Sequence, residues 1–157
     1  MKFKNFIIEM IETFAVSIVV LIAIYSTIAM PEMVYGSSME PNFYTGDRII
    51  VDRFTKFLKP SFERGEIVVL RPTDTTKHLI KRVIGVSGDH IVCCDKSGAL
   101  VINGKSVKEK YIYKGNTPSD MTFDVTVPKG YIWAMGDHRA ASEDSRYHQD
   151  DKNKGMV

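Results

Sequence analysis

Charge disappears from the chain between Thr13 and Met30, and the apolar positions of that run (TFAVSIVVLIAIYSTIAM) fall all round a helix rather than on one stripe. At ~1.5 Å per residue the 18 residues make a helix of about 27 Å, close to the ~30 Å hydrocarbon core of a bilayer. The pattern therefore predicts a transmembrane anchor over 13–30. A removable signal peptide competes, because Thr27 and Ala29 have the spacing of a small-residue cleavage site. The length of the run, and Met30-Pro31 directly after Ala29, favour an anchor that stays. Lys2 and Lys4 precede it, which holds residues 1–12 on the cytoplasmic side and sends 31–157 across the membrane.

Beyond residue 31 the period changes to that of strands. Short β-branched runs recur at Asp47–Val51, Glu66–Leu70, His78–Val86, Ile91–Cys94, Leu100–Ile102, Lys105–Val107, Phe123–Val127 and Tyr131–Met135. Turn residues separate them, and Asn103-Gly104 is the strongest hairpin signal in the chain. Phe54–Phe62, with Pro60, and the polar stretch Arg71–Lys77 read as loops. No helical period is convincing after residue 31. The expected fold class is mostly β, a sandwich or barrel behind one helix.

Composition narrows the picture only a little. A chain of 157 residues with 44% hydrophobic content has enough apolar surface for one core, and a net charge of +2 gives no reason to expect nucleic acid as a partner. The two cysteines, Cys93 and Cys94, are adjacent, which rules out a disulfide framework or a spaced metal site. Strand alternation puts one thiol in the core and the other near solvent. The acidic and histidine residues Asp137, His138, Asp144, His148 and Asp150 lack metalloprotease spacing and read as solvated loop. No metal and no cofactor is expected.

Two stretches carry candidate chemistry. Tyr35-Gly36-Ser37-Ser38-Met39-Glu40-Pro41 places two serines between a glycine and a proline, a setting that can present a hydroxyl on a stiff turn. In the strand from His78 to Val86, alternation puts Leu79, Lys81 and Val83 on one face, so a lysine sits between two apolar residues. An edge lysine that snorkels to solvent gives the same pattern. A desolvated lysine, by contrast, loses part of its proton affinity, and its neutral amine can take the proton of a serine hydroxyl.

Taken in order, Ser38-Met39-Glu40-Pro41, Gly46-Asp47, Lys81-Arg82-Val83-Ile84-Gly85, Gly88-Asp89, and Gly136-Asp137-His138-Arg139 with Ser142, Asp144, Ser145 and Arg146 resemble the sequence boxes of bacterial type I signal peptidases (peptidase family S26). The resemblance spans nearly the whole chain, anchor included. It implies a membrane-bound serine endopeptidase with two antiparallel sheet regions that removes signal peptides from exported preproteins. By position it makes Ser38 the nucleophile, Lys81 the general base and then general acid, Ser142 the serine that orients the lysine, and Asp144 with Arg146 a supporting charged pair.

The Ser38 backbone N–H is the expected oxyanion donor. Gly36 stands where some members supply a hydroxyl to that site. Tyr35, Asn42, His138, Ala140 and Ala141 also depart from the common residues. The resemblance has Val34, Tyr35 and Ile80 line a groove for an extended substrate with small residues at alternate positions, Ala-x-Ala. Met39 packs in that groove or reaches lipid. Besides the lipid bilayer and the signal peptide, the protein export channel is a candidate partner. The resemblance further implies a strand after Gly155-Met156-Val157, so the chain is expected to be a C-terminally truncated form. The alternatives are an inactive membrane-anchored peptide-binding module and, more remotely, a soluble self-cleaving Ser-Lys repressor.

Overall fold

A computed structural model describes residues 2–59, 61–71 and 78–157. It contains the helix α1 (Lys2–Ile28), strands β1 (Ala29–Met33) and β2 (Arg48–Asp52), the short helix α2 (Phe54–Leu58), and strands β3 (Ile67–Leu70), β4 (Leu79–Val86), β5 (His90–Cys93), β6 (Leu100–Ile102), β7 (Lys105–Val107), β8 (Phe123–Thr126) and β9 (Ile132–Met135). The chain divides into two compact units. One contains α1, α2 and most of β1 and β2; the other contains Met33–Arg48 and Ser61–Val157.

In the first unit, α1 exposes apolar side chains on every side, Phe3, Phe14 and Leu21 among them. Phe3–Tyr25 is long and apolar enough to cross a membrane by length and composition. Two of its hydroxyls bond back to the helix: Thr13 Oγ1 donates to the Glu9 carbonyl and Ser17 Oγ to the Thr13 carbonyl, each at 2.8 Å. Such back-bonding satisfies a polar side chain where no water is at hand.

The helix is longer than the charge-free run 13–30 at its start and shorter at its end. The helix begins near Lys2, because Lys4, Glu9 and Glu12 are good helix formers despite their charge. It stops at Ile28, and Ala29 and Met30 open β1 instead, a strand the sequence pattern did not indicate because Pro31 interrupts it. The loop expected from Phe54 is also corrected. It forms α2, started by Asp52, whose carboxylate accepts the N–H groups of Phe54 and Thr55 at 2.9 and 3.0 Å.

The second unit holds two antiparallel sheets, ordered β3-β4-β9 and β7-β6-β5-β8. The expected strands are present with ends shifted by one residue or none. Asn103 and Gly104 both take positive φ, 51° and 74°, which is the turn a tight β6–β7 hairpin requires. Most of the expected loop at 71–77 lies outside the described residues.

The main core joins β4, β5, β6, β8 and β9 through Ile84, Ile91, Leu100, Phe123, Trp133 and Met135. A smaller cluster of Val68, Val83, Ile132 and Ala134 covers the opposite face of β4. Successive residues of β4 therefore look into two different apolar environments, which is why this strand carries almost no exposed position. Val157 exchanges two backbone hydrogen bonds with Ile132, at 2.9 and 3.1 Å, and so lies beside β9.

The expectation for the cysteines is corrected in one respect. Cys93 is buried and Cys94 half-buried, as alternation requires, but their sulfurs are bonded to each other.

Candidate functional site

The turn that carries the two serines is held from below by its apolar residues. Val34 and Met39 are buried, at 2% and 1% exposure, so Met39 packs against protein and does not project outward. Val34 N–H donates to the Asp47 carbonyl and the Gly46 N–H to the Val34 carbonyl, which ties the turn to the Thr45-Gly46 bend. Gly36 has a φ of +83°, a conformation that disfavours any side chain, and its carbonyl accepts from Thr45 Oγ1 at 3.0 Å. A hydroxyl-bearing residue in this backbone conformation would be strained.

Lys81 meets this turn from β4. Its Nζ lies 3.0 Å from Ser38 Oγ, and the residue is only 4% exposed. The edge-lysine alternative left open by alternation does not fit this burial. Desolvation pushes the ammonium below its ordinary value of 10.5; the nearby Asp144 carboxylate opposes the shift and the Arg146 guanidinium reinforces it. The Ser38 carbonyl accepts from the His138 N–H at 3.0 Å, whereas the Ser38 N–H has no acceptor among the described residues. The lysine amine and the serine hydroxyl thus meet, and the Ser38 backbone donor beside them is not otherwise engaged among the described residues. A neutral amine there can take the hydroxyl proton, and the free N–H can meet an oxyanion.

The support comes from the segment after β9. Asp144 Oδ2 accepts from the Gly136 N–H at 2.9 Å and from Ser142 Oγ at 2.8 Å. Arg146, fully buried, donates to both Asp144 oxygens and to the carbonyls of Arg139 and Ser142. The Ser142 hydroxyl donates to Asp144, while Lys81 makes its hydrogen bond to Ser38. Gly136 is packed against the site: a Cβ there would lie 2.2 Å from Ser142 Oγ and 2.5 Å from the Ser38 carbonyl oxygen.

The proposed groove residues take different positions. Val34 and Ile80 are buried, Tyr35 is 75% exposed. On β4 the pairing with β3 covers Leu79 to Arg82, but pairing with β9 starts only at Arg82. Among the described residues, Leu79–Lys81 keep one strand edge open beside the dyad.

Sequence reasoning gave no role to Arg82, Tyr111, Glu109 or Arg139. Arg82 forms a bidentate pair with Asp137, Nε to Oδ1 at 2.8 Å and Nη2 to Oδ2 at 2.7 Å. Arg139 is paired with Glu109, both side chains 2% exposed, and its Nε donates to the Gly136 carbonyl at 2.9 Å. Arg82 and Asp137 stood inside the quoted motifs; Glu109 and Tyr111 had no signal at all.

The family model for signal peptidases of the peptidase S26 type matches residues 7–157. Signal peptidase I of Bacillus licheniformis is 32% identical over 151 residues, covering 91% of this chain and 80% of that protein. Signal peptidase I U of Bacillus subtilis (strain 168) is 38% identical over 141 residues, covering 83% and 74%. The crystal structure of a signal peptidase I from Enterococcus faecalis V583 is similar with a TM-score of 0.48 and 28% identity, covering 60% of this chain and 87% of that one.

Proposed function

We propose that this chain, which belongs to the signal peptidase family of S26 peptidases, uses Ser38 as nucleophile and Lys81 as general base to cut signal peptides after Ala-x-Ala. The observation that carries the reading is the 3.0 Å approach of a buried lysine amine to the Ser38 hydroxyl. Family membership already makes the protein a serine peptidase that cleaves signal peptides; the residues, the specificity and the anchoring are the proposal.

Neutral Lys81 takes the Ser38 proton as Oγ attacks the scissile carbonyl. The Ser38 N–H meets the oxyanion. The resulting ammonium gives its proton to the leaving amine, and an ester on Ser38 remains. Lys81, neutral again, deprotonates a water that attacks the ester, and its proton then returns to Oγ as the acid departs. Ser142, Asp144 and Arg146 keep the lysine side of the site in place.

The substrate adds as a strand along the open edge at Leu79–Lys81. In an extended strand alternate side chains face one wall, so two shallow pockets near Val34 and Ile80 select two small residues separated by one. Residues 13–28 lie in the bilayer with 1–12 on the cytoplasmic side, so residues 31–157 act outside, where a signal peptide emerges.

The test is cleavage of a signal-peptide substrate by detergent-solubilised protein, with the new N-terminus read by mass spectrometry. The expected product begins immediately after the second alanine. Ser37→Ala is expected to keep activity; an inactive Ser37→Ala would move the nucleophile by one residue, and a cut elsewhere would remove the Ala-x-Ala assignment.

A pH profile tests the base. Because burial lowers the Lys81 pKa, kcat/KM is expected to rise along a limb whose midpoint falls below 10.5, as the amine loses its proton. A profile that shows no such limb argues against Lys81 as the base.

A further inference from the structure

The segment between β7 and β8 reaches the residues around the dyad through Tyr111 and Glu109. The Arg82 guanidinium lies over the Tyr111 ring, its Cζ 4.3 Å from the centroid. Arg82 is the neighbour of Lys81 on β4. The Tyr111 carbonyl accepts from Asn42 Nδ2 at 2.8 Å, and the same amide donates to Asp137 Oδ2 at 2.8 Å. Asn42 belongs to the turn after Ser38, with its N–H on the Met39 carbonyl at 3.0 Å. The Tyr111 hydroxyl donates to Glu109 at 2.6 Å, and Glu109 is the ion-pair partner of Arg139, which holds the Gly136 carbonyl. One residue therefore touches the strand of the lysine and the turn of the serine, and through Glu109 it is linked to the segment that supports both.

We propose that Tyr111 is a positioning residue for the reaction. Its ring holds Arg82 flat against Asp137, and its carbonyl holds Asn42, so that Lys81 and Ser38 are fixed at their separation from opposite sides. A planar guanidinium between a carboxylate and an aromatic face has little freedom to turn. Without the ring, Arg82 gains rotamers, β4 gains play at Lys81, and the amine spends less time within reach of the hydroxyl. The hydroxyl of Tyr111 matters less, since Glu109 retains Arg139 as its partner. This inference rests on the Ser38–Lys81 assignment.

The experiment measures kcat and KM of the full chain on one signal-peptide substrate for Tyr111→Leu and Tyr111→Phe, with Ser38→Ala as control and a thermal melt of each. Tyr111→Leu is expected to lower kcat roughly 10- to 100-fold, with KM changed less than about twofold. Tyr111→Phe, which keeps the ring over Arg82, is expected to restore kcat to within about threefold of the parent. A purely structural role would reduce the amount of folded protein and leave the kcat of the folded fraction alone. A folded Tyr111→Leu with parental kcat overturns the proposal. If Tyr111→Leu does not fold, the exposed Asn42→Ala replaces it: a several-fold loss of kcat supports the proposal and an unchanged kcat overturns it. Should Ser38→Ala still turn over, the dyad itself is wrong and the positioning role falls with it; an inactive Ser38→Ala beside a fully active Tyr111→Leu removes the positioning role alone.

Discussion

Lys81→Met is expected to abolish turnover, by on the order of 10⁴-fold or more, without lowering the melting temperature at neutral pH. The two halves of this expectation have one cause. The lysine is 4% exposed and its ammonium is held below 10.5 chiefly by desolvation. That burial makes the amine a base, and it also makes the protonated residue costly to keep. Methionine has nearly the same length and carries no charge to desolvate.

The sign of the pH dependence follows. The folded pKa is below the unfolded one, so between the two values the unfolded chain binds more protons and stability rises with pH. The burden is full below the folded pKa and gone above about 10.5. The methionine variant should therefore gain stability over the parent at acid and neutral pH, and lose that advantage at high pH. Ser38→Ala should cost as much activity as Lys81→Met, and the double variant little more than either, because the two groups act as a unit. Residual cleavage by Lys81→Met would reject the base assignment. A lower melting temperature at every pH would reject the desolvation argument.

Gly136→Ala is expected to reduce kcat roughly 10²-fold and to destabilise the domain by about 1–3 kcal/mol. The added methyl would stand 2.2 Å from Ser142 Oγ, 2.5 Å from Ser142 Cβ and 2.5 Å from the Ser38 carbonyl oxygen. Real atoms do not approach so closely, so something must move. Ser142 is a short side chain already bonded to Asp144, and the Ser38 carbonyl is backbone bonded to the His138 N–H. Neither is the far end of a flexible group, so the strain falls on the serine turn and on the residues that support the lysine. Adding Ser142→Gly removes two of the three close contacts but leaves the one to Ser38. The double variant is therefore expected to recover melting temperature more than kcat. A Gly136→Ala protein with parental kcat would mean that the serine turn yields freely.

Much of the fold could be read directly, and the reasons are local. β6 and β7 were legible to the residue because Asn103-Gly104 dictates its own turn. β1 was not, since Pro31 breaks the pattern of a strand that exists only through pairing with β2. α2 was missed because five residues are too few to show a helical period, although Asp52 ahead of Phe54 and Thr55 was a usable start signal.

Within the candidate site, Asp144 and Arg146 look like solvated loop by composition. They are buried at 5% and 0% exposure because each satisfies the other, a condition that spacing alone does not reveal. Glu109 and Tyr111 were invisible for a related reason: their partners, Arg139 and Arg82, lie about thirty residues away along the chain.

The sequence by itself determined the apolar helix, the strand periods, the turns and the order of motifs that marks the family, since each depends on residues within a few positions of one another. Tertiary structure decided which of two adjacent serines faces Lys81, across 43 residues of chain, and it decided that this lysine is a poor home for a proton. Desolvation sums over atoms brought together from many parts of the chain, and only the folded packing fixes that sum.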